Sequence, residues 1–410
     1  MKPAGDVRRC QVRGDIGISP HRPGPEGFAH VGRDVHRDPC PRHPVAPSRR
    51  RLPGFDARAR CSSEERRICL HRVEGGARPP EPPEGEGKGA RGMSHPQPVD
   101  SMVYPRHSGV ATFMRYPHIL DARGLDQAIV GVPFDTTAGY RLGARLAPRA
   151  IRHHSSQVRL HHPIHDVTVH EKIRIADYGD ARTSPFEIEK TFDWITEEFD
   201  KIHAHGCRTI AVGGDHGITY PILRAVAKHH GPVAIVQVDS HTDTHDLQFG
   251  YKLTHATPFR RAHEAGVIDP KKVMQLGIRG SLFYPDDLAW SKEHYRMVPM
   301  HEIHRRGMDG VVAEMRELIG TAPVYLSFDI DGLDPSCAPG TGVPEIGGLS
   351  TWQAIQIIHG LVGHNLVGAD VVEVSPPCDS NDITSIVAAQ LLFEIASVFA
   401  VRGRVDRPAR

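Results

Sequence analysis

The sequence has no run of 18 apolar residues free of charge, so no membrane-spanning helix is expected. Residues 93–410 carry no Gly-x-Gly-x-x-Gly and no phosphate loop ending in Lys-Ser/Thr, which argues against a dinucleotide or ATP site there. A Gly-x-Ser-x-Gly nucleophile elbow is also missing. The seven cysteines (Cys10, Cys40, Cys61, Cys69, Cys207, Cys337 and Cys378) show no paired Cys-x-x-Cys spacing. Neither a zinc knuckle nor a disulfide framework is indicated, and a reducing, cytoplasmic setting is the simpler expectation. The net charge is only +1, and basic residues are not interleaved with aromatics, so nucleic acid is not an expected partner.

The near-zero charge hides a division. Residues 1–92 hold 19 Lys plus Arg against 12 Asp plus Glu, net +7; the remainder holds 31 against 37, net −6. The first stretch is rich in Arg, Pro and Gly, shows no period of 2 or 3.6, and in 79–89 has almost nothing to bury. Such a segment cannot offset its ordering entropy, so residues 1–92 read as a disordered extension that need not belong to the mature chain. Met93 is a plausible alternative start, and residues 93–410 read as the folded, functional domain.

Within that domain, short apolar runs alternate with helical patterns. Strands are expected at 128–132, 173–176, 209–212, 233–238, 273–278, 324–328 and 367–374. Residues 99–118 read as a surface arm and 177–180 as a turn. Helices are expected at 187–205, where Ile188, Phe192, Ile195, Phe199 and Ile202 form one stripe, and at 220–230, 258–265, 310–319, 351–363 and 383–401. Pro148 opens another, and Ser350 is a good N-cap for the helix that follows it. Continuous apolar strands separated by helices predict a three-layer α/β/α sandwich around a mostly parallel sheet. A closed eight-stranded barrel shares this local period and stays open as an alternative.

Three of the predicted strands end in metal-ligand residues. Thr209 to Val212 runs into Gly213-Gly-Asp-His216, Val233 to Val238 into Asp239-Ser-His-Thr-Asp243, and Val324 to Phe328 into Asp329-Ile-Asp331. Carboxyl ends of parallel strands are where such sheets place their sites. The six candidates are His216, Asp239, His241, Asp243, Asp329 and Asp331, too many for one tetrahedral zinc and suited to two cations. Four carboxylates balance two divalent ions, a charge count suited to activating a shared water. Mostly oxygen ligands with two imidazoles favour Mn²⁺, with Ni²⁺, Co²⁺ or Zn²⁺ compatible.

These motifs, with Glu373, closely resemble the ureohydrolase family of arginase, agmatinase, guanidinobutyrase and guanidinopropionase over about residues 104–403. The stretch Arg141 to Arg152, with Pro339-Gly-Thr-Gly342 and Glu345-Ile-Gly-Gly348, looks like the agmatinase and guanidinobutyrase branch. The resemblance implies an arginase-like fold and a homo-oligomer, trimer or hexamer. It implies one cation held by His216, Asp239, Asp243 and Asp329 and another by His241, Asp239, Asp329 and Asp331, with Asp239 and Asp329 bridging. By the same resemblance Glu373 holds the guanidinium and His255 shuttles protons, so that His255, Glu373 and Asp243 make up the catalytic set.

A guanidinium is resonance-stabilised and cationic at neutral pH, so its carbon is a poor electrophile. A metal-bridging hydroxide is strong enough to attack it, and the amine must then leave protonated, which suits a histidine of ordinary pKa, about 6.5. The expected reaction is hydrolysis of a small linear guanidino compound, 4-guanidinobutanoate or agmatine, to urea and an amine. Asp135, Asp246 or Glu345 could meet a distal ammonium; Arg141, Arg260 or Arg261 could meet a distal carboxylate. His245, Ala256, Cys378 and residues 137–140 depart from the commoner family pattern. Free guanidine or a substituted biguanide therefore stays open as substrate. So do a catalytically inactive metal-binding partner subunit and a deacetylase-type metallohydrolase.

Overall fold

The computed structural model describes residues 95–403. The extension assigned to residues 1–92 and the start at Met93 lie outside the described residues. One sheet has eight strands: β1 Gln127–Val132, β2 Ile175–Asp180, β3 Arg208–Gly213, β4 Val233–Val238, β5 Ile268–Ile278, β6 Arg296–Pro299, β7 Pro323–Asp329 and β8 Asn365–Val372. They lie in the order β2-β1-β3-β8-β7-β4-β5-β6, with every pairing parallel. The sheet is open, with β2 and β6 at its edges, so the barrel alternative is overturned.

Side-chain alternation along each strand builds the three layers. In β4, Ala234, Val236 and Val238 join an apolar cluster with Met315, Ile357 and Leu392 from the helices Met308–Ile319, Thr351–His359 and Ile383–Arg402. Val233 and Ile235 join the opposite cluster with Phe192, Phe199 and Ile222 from Ile188–Ala204 and Thr219–His230. Each fully buried Val, Ile or Phe contributes about 1.5–3 kcal/mol, so both faces must be covered. Ser350 caps its helix as expected: its Oγ accepts from Gln353 N (3.3 Å), and Gln353 Oε1 accepts from Ser350 N (2.9 Å). The helix Ile383–Arg402 is long and apolar enough by composition to cross a membrane, but 72% of its most apolar stretch is buried inside this fold.

Several local expectations are corrected. Phe113, Met114 and Tyr116, placed on a surface arm by their sequence position, are almost fully buried. Phe113 N donates to Asp177 Oδ2 (3.0 Å), and the Arg152 guanidinium lies 4.2 Å from the Phe113 ring centroid. Asp177 to Asp180, expected as a turn, continue β2. The edge strand β6, four residues long, and the flanking helices Ala289–His294 and Met300–Arg306 were not foreseen. Nor was a two-stranded ribbon, His161–His162 with Val167–Thr168.

The topology positions the site. Strands β7 and β8 come last in the chain, yet they lie between β3 and β4. The carboxyl ends of β3, β8, β7 and β4 are thus consecutive neighbours, and the residues that follow them open at one end of the sheet.

Candidate metal centre

The turn after β3 leaves the sheet through Gly213 and Gly214. Gly214 has φ 50°, and a Cβ there would lie 2.4 Å from Phe134 O, so only glycine fits. The next residues start a short 3₁₀ turn, His216–Ile218, that carries the His216 ring into the interior. Its Nδ1 lies 3.1 Å from Asp239 Oδ2, 2.9 Å from Asp243 Oδ2 and 3.1 Å from Asp329 Oδ2. These four form one ligand group, and Asp239, His241 and Asp331 form a second that shares Asp239 with the first. In the second, His241 Nδ1 is 3.2 Å from Asp331 Oδ2 and 3.7 Å from Asp239 Oδ1. All six residues singled out from the sequence are therefore together. Asp329 gathers with the first group alone rather than with both.

The cluster fits divalent ions on its own chemistry. His216 Nδ1 is buried and makes no hydrogen bond, although three carboxylate oxygens surround it. A single proton cannot serve three acceptors, whereas a cation can. Burial, then Asp243 and Asp331, push the Asp239 carboxyl up to about 7; burial, then Asp331 and Asp239, raise Asp329 well above the usual range. Carboxylates this crowded need positive charge among them. Two residue groups with a common carboxylate constitute a binuclear divalent-metal site.

Residues that sequence reasoning did not single out hold these ligands in place. His216 Nε2 bonds Ser327 Oγ (2.9 Å), which donates to Asp370 Oδ1 (2.8 Å). Asp370 is buried and also accepts from Thr219 Oγ1 and the Tyr325 hydroxyl. This chain keeps the proton on Nε2 and turns the bare Nδ1 toward the carboxylates. Asp331 Oδ1 accepts from Ser240 N (3.0 Å) and Ser240 Oγ (2.7 Å). Arg279 donates to the carbonyls of Asp331 (2.7 Å), Leu333 (3.0 Å) and Glu345 (2.8 Å), clamping the loop that follows β7. Only its arginine identity marked Arg279, because carbonyl acceptors leave no sequence trace.

Above the cluster is a cavity of about 280 Å³. Its buried floor carries Asp243, Asp329, Asp331 and Glu373; its mouth carries the exposed rings of Tyr140, Phe249 and Phe283. Glu373 follows β8 with φ 63°, and Asp243 has φ 51°, left-handed conformations that cost a non-glycine residue energy and cluster at functional positions. Glu373 Oε1 accepts from His216 N (2.8 Å) and faces His255 Nδ1 (3.3 Å). His255 Nε2 lies 3.2 Å from Gly139 N, and Nδ1 carries the proton that Glu373 accepts. Burial opposes its charge, but Glu373 outweighs burial and pushes the His255 pKa up to about 9, not the unshifted value expected from sequence.

The distal candidates are mostly engaged elsewhere. Asp135 accepts from Gly143 N (2.8 Å) and pairs with Arg145. Asp246 pairs with Arg261 (2.6 Å), and Arg260 with Glu264 (2.8 Å). Neither Arg141 nor Glu345 lines the cavity.

Crowding also makes metal-free stability depend on pH. Asp239 is held near 7 as above, and Asp215 is pushed up to about 7 by burial and then by Glu373. A folded pKa above the unfolded value of about 4 gives stability that is complete below about pH 4 and lost as pH rises through 7. Chelator-treated protein should show a Tm that falls from about pH 6.5, above which buried neutral histidines such as His203 no longer oppose the trend, to about pH 8, with Mn²⁺ restoring it at the higher pH. A Tm that rises across that window would contradict this account.

An open parallel sheet that delivers a binuclear His/Asp centre beneath a small cavity provides what a binuclear metallohydrolase requires, and similarity to known proteins narrows the class to the metal-dependent amidinohydrolases. The chain belongs to the arginase family, which it matches over residues 125–397. It is 44% identical over 308 residues to a guanidinopropionase of Pseudomonas aeruginosa, covering 75% of this chain and 96% of that one. It is likewise 44% identical over 302 residues to the mitochondrial agmatinase of Gallus gallus, covering 73% and 89%. Among solved structures, the proclavaminate amidino hydrolase of Streptomyces clavuligerus superimposes with a TM-score of 0.70 at 37% identity, covering 72% of this chain and 99% of that one.

Proposed function

We propose that the chain hydrolyses a small linear guanidino acid of the 4-guanidinobutanoate kind to urea and the corresponding amino acid, with Mn²⁺ in both metal positions. Bound divalent ions would supply a hydroxide nucleophile at neutral pH. Glu373, anchored by His216 N and His255, is placed to accept hydrogen bonds from the guanidinium and hold its carbon over the cluster. His255 carries a proton on Nδ1 and lines the same cavity as Asp243, a position from which it can protonate the departing amine. Predominantly oxygen ligands with two imidazoles support Mn²⁺.

One observation carries the choice of tail. All four carboxylates of the cavity lie on its buried floor, and the outer wall offers Tyr140, His245 and Gln248 with aromatic rings. A distal carboxylate finds hydrogen-bond donors there, whereas the ammonium of agmatine finds no free anion and would be desolvated without a counter-charge. Identity does not discriminate, since a guanidinopropionase and an agmatinase are equally similar. Urea release measured side by side on 4-guanidinobutanoate, 3-guanidinopropanoate, agmatine, arginine, guanidine and a biguanide tests the reading. The acids should exceed agmatine in kcat/KM by at least about tenfold. Agmatine, guanidine or biguanide as the best substrate would overturn the tail assignment, and no urea from any would overturn the activity.

A further inference from the structure

A second group of ligating side chains lies away from the cavity and shares no residue with it. It joins the two-stranded ribbon, the turn 163–166 within it, the end of the helix Thr351–His359 and the helix Ile383–Arg402. His162 Nε2 and His359 Nε2 each lie 2.7 Å from the same oxygen, Glu394 Oε2. The His165 ring stacks on His162 with centroids 4.4 Å apart and meets His359 edge-on at 4.3 Å. One ring nitrogen from each of the three histidines falls within 4.8 Å of the others. His165 Nε2 is buried there and has no hydrogen-bond partner.

Three imidazoles packed this closely cannot all be cationic. Burial, together with His359 and His162, lowers the pKa of His165, so its ring is neutral and keeps a free lone pair at neutral pH. Glu394 is held below its usual carboxylate range by His359 and His162, against the effect of burial, and supplies the one negative charge. Hydrogen bonding alone accounts for Glu394 with two N–H donors, but it leaves His165 Nε2 unexplained.

We propose that His162, His165, His359 and Glu394 form a separate binding site for a zinc-type divalent cation, one that ties the ribbon to the C-terminal helix. Three imidazole nitrogens and one carboxylate oxygen are a familiar tetrahedral zinc set. At Zn–N distances of about 2.0–2.1 Å the nitrogens come to about 3.4 Å apart, so the rings close inward by roughly an ångström from their present spacing. Capture by Nε2 moves the His162 proton to Nδ1, which now accepts from His165 N (3.1 Å). That hydrogen bond is given up and the turn 163–166 shifts. The site lies in the family's fold but outside the amidinohydrolase centre, so its role is to fasten structure rather than to take part in hydrolysis.

The test uses untagged full-length protein, stripped with chelator and reloaded with Zn²⁺ or Co²⁺ under non-denaturing conditions, with metal per chain counted by mass spectrometry and elemental analysis. The wild type should hold one equivalent more than His165→Ala and His359→Gln, and the extra Co²⁺ should show the strong visible absorption of a four-coordinate ion. Zn²⁺ should raise the wild-type Tm beyond the rise it gives in either variant. Urea release by Mn²⁺-loaded His165→Ala should match the wild type within about twofold, separating this site from the proposed reaction. Should His359→Gln fail to fold, His165→Ala, whose change lies in an exposed turn, decides alone. Equal metal content in the wild type and His165→Ala would overturn the proposal, whether through no extra ion in either or through an extra ion held equally by both.

Discussion

Asp239→Asn is expected to empty both metal positions and to lower urea release on the order of 10³-fold or more, about 4 kcal/mol of transition-state stabilisation. Its two oxygens address different partners: Oδ2 is 3.1 Å from His216 Nδ1, and Oδ1 is 3.7 Å from His241 Nδ1. A carboxamide in this place is neutral and a weak ligand, so each group loses an anionic donor with one substitution. Asp331→Asn provides the contrast, because Asp331 belongs to the second group alone. Elemental analysis should find metal falling from about two equivalents toward none in the first variant, and to about one in the second. Equal losses in the two variants would show that Asp239 is not the common carboxylate. Full turnover by Asp239→Asn would remove the basis for binuclear chemistry altogether.

How much of this was legible before folding depended on whether a residue's role is set locally or by distant chain. The six ligands could be read because each follows an apolar run, and a parallel sheet puts the ends of such runs together. The helix from Ile188 and the cap at Ser350 were legible because their signals, a 3.6-residue stripe and a side chain that reaches the third helical amide, lie within one segment. Strand β6 was missed because four residues with only Val298 fully buried give no period to read. The burial of Phe113 and Met114 depends on Asp177 and Ser155, which accept from their backbone N–H groups from 64 and 41 residues away. Asp370 is hidden in an apolar strand, and only the fold places it under Ser327 and His216. The distal arginines illustrate the converse, since Arg260 and Arg261 offered charge in the sequence but are paired with Glu264 and Asp246 in the fold.

Glu373→Gln should retain both metals while lowering kcat/KM about a hundredfold, separating substrate alignment from metal binding. Glu373 belongs to neither ligand group, so removing its charge leaves the six ligands in place. The glutamine can still accept from His216 N, which keeps the unusual backbone at φ 63° anchored. What disappears is the anion that a guanidinium would meet with charge-assisted hydrogen bonds. The same substitution removes the group that holds the His255 pKa up at about 9 against burial. With burial then unopposed by its nearest carboxylate, the His255 pKa should fall. Loss of its proton on the alkaline side of the rate profile should therefore move to lower pH in the variant. An unchanged alkaline limb at reduced rate would leave Glu373 a guanidinium anchor but disconnect it from His255. Unchanged kcat/KM would show that the carboxylate does not align the substrate.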